Sequence, residues 1–166
     1  MNIFYLDENP ELCARYHNDK HVIKMILETC QLLSTAHQVV SESLPESNIK
    51  PCNIKNIMKP SYINHPCNLW VRKSLENYFW LAELGWELCK EYTYRYGKKH
   101  SREDTVVFLM DNFPPHIPHI GFTQPAQAMP ENCKNKNSVE AYREYYRKEK
   151  RHLASWKKRS IPFWYK

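Results

Sequence analysis

Glycine is nearly absent from this chain, with three residues in 166. Tight hairpin turns and phosphate-cradling loops draw on glycine, so neither a turn-rich β-sandwich or barrel nor a Gly-rich nucleotide loop is expected. Long apolar runs are missing too. No stretch approaches the ~18 residues that span a bilayer, and mean hydropathy is −0.71. The start, Met1-Asn2-Ile3-Phe4, lacks the basic opening and apolar core of a signal peptide, so no membrane partner and no secretion are expected. Cys-x-x-Cys is absent. The six cysteines (Cys13, Cys30, Cys52, Cys67, Cys89, Cys133) are evenly spread. A chain this long needs no staples, so reduced thiols in a cytosolic or nuclear protein are expected.

What the chain has is rings and unevenly placed charge. Five Trp, eleven Tyr and six Phe supply material for a core of one ordinary domain, residues 1–166. Residues 134–166 carry eleven Lys and Arg against three Glu, a net +8, whereas the first 133 residues carry 13 basic and 15 acidic side chains, a net −2. A basic, aromatic C-terminal segment, 139–166, attracts phosphates and points to nucleic acid; the alternative is a solvated helix face.

The periodicity predicts an all-α domain of about five helices with long Pro-rich connections. Asn9-Pro10 starts a short helix over 10–16. Asn18 or Asp19 caps a second running to about Val40, with Val22, Ile23, Ile26, Cys30, Leu33, Ala36 and Val40 at helical spacing. The stretch 41–64 reads as a long connection. Asn64-His65-Pro66 opens the longest helix, about 66–96, closed by Gly97 at its C-terminal end. Its buried side is marked by Leu69, Trp70, Leu81, Leu84 and Leu88, with rings from Trp80, Tyr92 and Tyr96. Ser101-Arg-Glu-Asp104 resembles a capping box before a helix over 102–112 bearing Val106, Val107, Leu109 and Met110. Residues 113–130 hold five prolines and read as irregular. Ser138 caps a last helix over 139–157, and no segment alternates as a strand.

Three constellations could carry chemistry. His21, Lys24, Glu28, Gln31 and Thr35 form a polar stripe on the otherwise apolar second helix. A buried carboxylate beside a cation is what a general acid or base requires, while an ordinary Lys24–Glu28 surface pair is the bland alternative. On the last helix, Tyr142, Tyr146, Leu153 and Trp156 form an apolar stripe and Arg143, Arg147, Lys150, Arg151 and Lys158 a basic one that could track a phosphate backbone. The tail Phe163-Trp164-Tyr165-Lys166 sets ring faces beside cations, suited to unstacked bases or, equally, to docking on the core. Finally, His17, His21, Glu28 and His116 or His119 would serve a metal-dependent hydrolase, but their spacing places no ligand set, and no metal or cofactor is expected.

Asp19-Lys20-His21 followed by Glu28, then Asn64-His65-Pro66 with Trp70, then Arg95-Tyr96-Gly97 with His100, and the ending Trp164-Tyr165-Lys166 together resemble the small viral and bacterial pyrimidine-dimer DNA glycosylases of the endonuclease V type. The resemblance implies an all-α, metal-free DNA repair enzyme. It would act on duplex DNA carrying a damaged or modified pyrimidine, with pyrimidine dimers the leading candidate. The N-terminal α-amine would attack C1′ and form a Schiff base, and β-elimination would then break the strand (an associated abasic-site lyase activity). An α-amine has an ordinary pKa near 8 and is partly nucleophilic at neutral pH. The family's catalytic glutamate falls on Glu28 and its helix histidine on His21. The amine belongs to Met1, or to Asn2 if the chain is processed. DNA contacts would fall on Lys20, Lys24, Arg143, Arg147, Arg151, Lys158, Trp164, Tyr165 and Lys166. Two positions depart from the pattern: Leu27 stands where the family carries arginine, and Ile3 leaves no basic residue beside the N-terminus. The expected setting is the cytoplasm or nucleus of an infected host cell, and the expected state a monomer. The alternative to an enzyme is a basic nucleic-acid-binding accessory protein with no catalytic role for Glu28.

Overall fold

Asn9 and Pro10 start the first helix as their chemistry requires: the Asn9 side chain accepts from Leu12 N at 3.0 Å and Pro10 takes the first helical turn. The computed structural model describes residues 1–42 and 57–166. Among them are six α-helices, α1 (Pro10–Tyr16), α2 (Asp19–Glu42), α3 (Pro66–Lys73), α4 (Leu75–Tyr96), α5 (Glu103–Asp111) and α6 (Ser138–Glu149), with 3₁₀ turns at Glu131–Cys133 and Arg151–Leu153 and no strand. No helix there is long and apolar enough to cross a membrane. The five described cysteines are free and buried; Cys52 lies outside the described residues.

Helix α4 is the centre of the packing, touching α1, α2, α3 and α5, and α2 lies against it. Gly85 permits that approach: a Cβ there would sit 2.8 Å from Thr29 Cγ2 and 3.2 Å from Val106 Cγ1. Gly97 ends α4 in the left-handed region at φ 70°, as expected of a C-terminal glycine. Three expected core positions are instead open: Ile23 is 40% exposed, Leu69 50% and Val107 37%. Leu69 lies on the face of α3 opposite the buried Cys67, Asn68, Trp70 and Val71, and Val107 on the face of α5 opposite the buried Thr105, Val106 and Leu109.

The predicted 66–96 helix is broken at Ser74. Ser74 is extended (φ −149°, ψ 143°) and caps Glu76 N at 3.2 Å. The Pro-rich segment fills the break: Leu75 N donates to Pro118 O at 2.9 Å and Ser74 Oγ to Gly121 O at 2.7 Å. The expected Ser101 cap of α5 is absent; His100 accepts from Arg102 N and Glu103 N instead, each at 3.1 Å. Helix α6 begins with Asn137, not Ser138, as its cap, and stops at Glu149 rather than 157. Its early end releases the chain to cross the start of α2, where Asp19 N donates to Ser155 O at 2.8 Å and the Asp19 carboxylate accepts from Lys157 N at 2.9 Å.

One buried stretch is not helical at all. Ile3, Phe4, Tyr5 and Leu6 are each at most 5% exposed. Buried backbone without regular structure must find other partners. Here side chains supply them: Cys13 Sγ accepts from Leu6 N at 3.3 Å and donates to Phe4 O at 3.4 Å, and Arg143 Nε donates to Leu6 O at 3.0 Å.

Candidate active site

The N-terminal segment is fixed against α2 through Asn2. Asn2 Nδ2 donates to Ala128 O at 2.8 Å, while its Oδ1 accepts from Ile3 N at 2.8 Å and Phe4 N at 3.3 Å. This Asx-type turn leaves the Asn2 backbone N–H directed at Glu28, where it donates to Oε2 at 2.7 Å. Glu28 is 6% exposed. Its other oxygen, Oε1, pairs with the exposed Lys24 Nζ at 3.1 Å. The buried carboxylate is therefore satisfied on both oxygens, as burial demands.

The Met1 amine lies one residue beyond that contact. Two side chains record its neighbourhood electrostatically. Burial, then the positive charge of the N-terminal amine, hold the His65 imidazole below its ordinary range, with Glu28 pulling the other way. Burial pushes the Cys67 thiol up to about 12, with the amine and Glu28 again acting on it in opposite senses. The start of α3 thus brings His65 and Cys67 to the same place as Met1 and Glu28. His65 Nδ1 accepts from Cys67 N at 3.2 Å as the cap of α3. Asn68, fully buried, reaches Met1 Sδ at 3.7 Å. The sequence marks the Asn64-His65-Pro66 run as a helix start and gives His65 and Asn68 no part in the site. Only the fold shows that α3 starts beside residue 1.

His21 is placed differently from Glu28. It is 4% exposed, its Nδ1 shares a 2.6 Å hydrogen bond with Tyr146 Oη, and its ring stacks on Phe4 at 4.1 Å between centroids. Burial, reinforced by His17, Lys150, Lys24 and His152, drives its pKa down to about 3. Phe4 itself has φ 45°, a left-handed backbone uncommon outside glycine. His21 therefore locks Phe4 and α6 together behind the site. Further along the stripe, Gln31 O accepts from Thr35 Oγ1 at 2.7 Å, and Thr35 Oγ1 accepts from Ser61 N at 3.1 Å, tying the segment before α3 to α2.

The metal alternative finds no support in the placement. His17 Nδ1 is spent on Cys13 O at 2.7 Å, and His119 Nδ1 sits 3.4 Å from Glu76 Oε1, away from Glu28. Among the described residues no three His, Cys, Asp or Glu side chains come together as a metal site.

The basic residues divide into two groups. Arg143 and Arg147 turn inward. Arg143 bonds Leu6 O, Asp7 and Glu140 and lies over the Tyr16, Phe163 and Trp164 rings; Arg147 bonds Glu144 and Trp164 O. Lys158 Nζ donates to Tyr94 O at 2.9 Å. By contrast with the two arginines, Lys20, Lys24, Arg151, Lys158 and Lys166 are exposed. Trp164 takes the docked arrangement at 9% exposure, packed on Tyr16 and Tyr146, so its faces are not open to a base. Tyr165 is half-buried against Trp156, and Phe163 alone of the tail rings stays largely open at 70%. The reason is local: with α6 ending at Glu149, the tail returns over α1 and α2 instead of extending from the helix.

Residues 1–104 match a family model described as pyrimidine dimer DNA glycosylase. The matched stretch holds Met1, Asn2, His21, Glu28 and His65, and ends before α6 and the basic tail. No curated protein and no solved structure matches the chain.

Proposed function

The chain belongs to the pyrimidine dimer DNA glycosylase family, and from that premise we propose a mechanism in which Glu28 serves the N-terminal amine. The protein is a DNA repair glycosylase by family, and its substrate is DNA. The finer reading is that it removes a damaged or modified pyrimidine from duplex DNA, pyrimidine dimers first, and then cuts the strand as an abasic-site lyase. The observation that carries it is the 2.7 Å hydrogen bond from Asn2 N to Glu28 Oε2, which holds the chain start on a buried carboxylate.

In this reading the neutral α-amine of Met1, or of Asn2 after processing, forms a bond to C1′ as the bond to the base breaks. The departing base takes the electron pair and picks up a proton from solvent. Glu28 faces the positive charge that builds on the sugar and accepts the proton lost by the amine. Ring opening leaves a Schiff base; loss of a 2′ proton then expels the 3′ phosphate. His21 is a positioning residue, holding Phe4 and hence the start of the chain. Lys24 acts on Glu28 and on backbone phosphate, with Lys20, Arg151 and Lys166 along the strand. Arg143, Arg147, Lys158, Trp164 and Tyr165 support DNA binding by fixing α6 and the tail.

Borohydride trapping tests this directly. A covalent protein–DNA band is expected with an abasic duplex and with a dimer duplex, and acetylating the N-terminus should remove both. Glu28→Gln should lower dimer turnover by about 10²-fold or more with DNA affinity intact. Trapping that survives acetylation, or normal turnover by the variant, overturns the mechanism. Salt-dependent binding without any band would fit the accessory-protein reading.

A further inference from the structure

The segment leading into α3 displays two large apolar side chains that the mechanism does not use. Tyr62 is 72% exposed and Ile63 43% exposed. Tyr62 also holds φ 49°, left-handed backbone that costs a non-glycine residue on the order of 1 kcal/mol. The fold secures this conformation from below. Asn68 Nδ2 donates to Ser61 O at 2.9 Å and to Tyr62 O at 2.8 Å, His65 N donates to Tyr62 O at 2.8 Å, and Arg72 Nη1 donates to Ile63 O at 3.0 Å. Three successive carbonyls are thus held, two of them by a buried amide. An exposed ring on a strained, clamped backbone is built to be presented.

Its position is equally specific. Asn68, which holds Tyr62, is also the residue that reaches Met1 Sδ. Ser61 is anchored to Thr35, seven residues along α2 from Glu28, a distance of about 10 Å on that helix. His65, three residues on, lies within electrostatic reach of both the amine and Glu28. Residues 60–65 also border an open hollow of about 470 Å³. The ring therefore stands at the rim of the site where C1′ would react. Chemistry at C1′ of a stacked nucleotide requires the stack to be opened, and apolar side chains inserted between base steps are the means by which proteins open it.

We propose that Tyr62, backed by Ile63, is the wedge that enters the base stack beside the reacting nucleotide, making it a positioning residue for a nucleotide in duplex DNA. The inference rests on the glycosylase reading, and the experiment separates the two. Wild type, Tyr62→Gly and Tyr62→Phe are compared as full chains on a dimer duplex, the same dimer in a single strand, and a duplex with a ready-made abasic site. Glycine adopts this backbone without strain, so Tyr62→Gly removes the ring while keeping the loop. A loss of about tenfold or more is expected for the glycine variant on the dimer duplex only, with the other two substrates changed by less than about twofold. Tyr62→Phe should restore the duplex rate. In parallel, 2-aminopurine placed beside the lesion should brighten when wild type or Tyr62→Phe binds, and stay dark with Tyr62→Gly. Equal losses on all three substrates, full activity of the glycine variant on the duplex, or no brightening with wild type overturns the wedge. Wild type that brightens the probe yet cuts none of the substrates overturns the glycosylase reading instead.

Discussion

Glu28 shows how a single buried carboxylate can be kept in place by the backbone of another segment. Its partners are Asn2 N and Lys24 Nζ, one to each oxygen, and the Asn2 side chain is itself held by Ile3 N, Phe4 N and Ala128 O. The polar stripe on α2 made Glu28 legible in the sequence, because a carboxylate on an apolar helix face needs an explanation. His65 and Asn68 were not legible in the same way. They lie some forty residues from Glu28 along the chain, and no periodicity relates α3 to the N-terminus. The two buried histidines behind the site carry a pH prediction. Burial is the chief cause that lowers His17 to about 4 and His21 to about 3, against an ordinary value of 6.5. The unfolded chain then binds more protons than the folded one between pH 6.5 and those values. Stability from the neutral rings is complete above pH 6.5 and falls as the pH drops through that window. Thermal melts from pH 7.5 to 4 should show a falling Tm, and the fall should be shallower in His17→Gln. A Tm flat across that range would show that the rings titrate normally in the fold.

At the scale of helices, periodicity located the α-helical stretches but not their ends, and it joined α3 and α4 into one. The 3.6-residue pattern runs through residues 66–96 without a fault, because Trp70, Leu81, Leu84 and Leu88 remain on buried faces either side of Ser74. What breaks the helix is tertiary: Pro118 O and Gly121 O are waiting for Leu75 N and Ser74 Oγ. The end of α6 was missed for the same reason, since the pull comes from Asp19 at the far end of the chain. Where a signal is local, as at Asn9-Pro10 and Gly97, sequence and structure agree to the residue. The contact of α4 with α2 gives the prediction at this scale. In an ordinary helix Gly→Ala stabilises by roughly 0.5–1 kcal/mol. At Gly85 the added Cβ would meet Thr29 Cγ2 at 2.8 Å. Thr29 is 1% exposed and β-branched, so it has little freedom to yield. Gly85→Ala should therefore destabilise, by about 1–3 kcal/mol, as an overpacked core does. Urea unfolding measures it, and a more stable variant would mean the two helices part at no cost.

Across the whole molecule, the +8 of residues 134–166 is divided between cations that hold the fold and cations that stand exposed. Four cations of helix α6 and the tail are tied up in ion pairs: Arg143 with Asp7 and Glu140, Arg147 and Lys148 with Glu144, and Arg159 with Glu91. Arg159 and the fully buried Arg95 share Glu91, and Arg95 reaches on to Asp19. Asp19 in turn binds Ser155 and Lys157, so this network fastens the tail to the start of α2. Charge counting along a sequence cannot distinguish a cation that holds the fold from one that waits for a phosphate; partners and exposure can. Lys20, Lys150 and Arg151 have no ion pair among the described residues, and Lys20 and Arg151 are exposed. If these cations meet the DNA backbone, each lost phosphate contact should lower the magnitude of the slope of log K against log salt by about 0.9. Lys20→Ala with Arg151→Ala should reduce it by nearly 2 and leave Tm unchanged. Arg143→Ala should do the opposite, keeping the slope while lowering Tm, because its guanidinium is committed to Leu6 O, Asp7 and three aromatic rings. Binding isotherms on one duplex at four salt concentrations, paired with melts, separate the two outcomes. A slope that moves with Arg143 and not with Lys20 and Arg151 would place the DNA on the face of α6 and not across the start of α2.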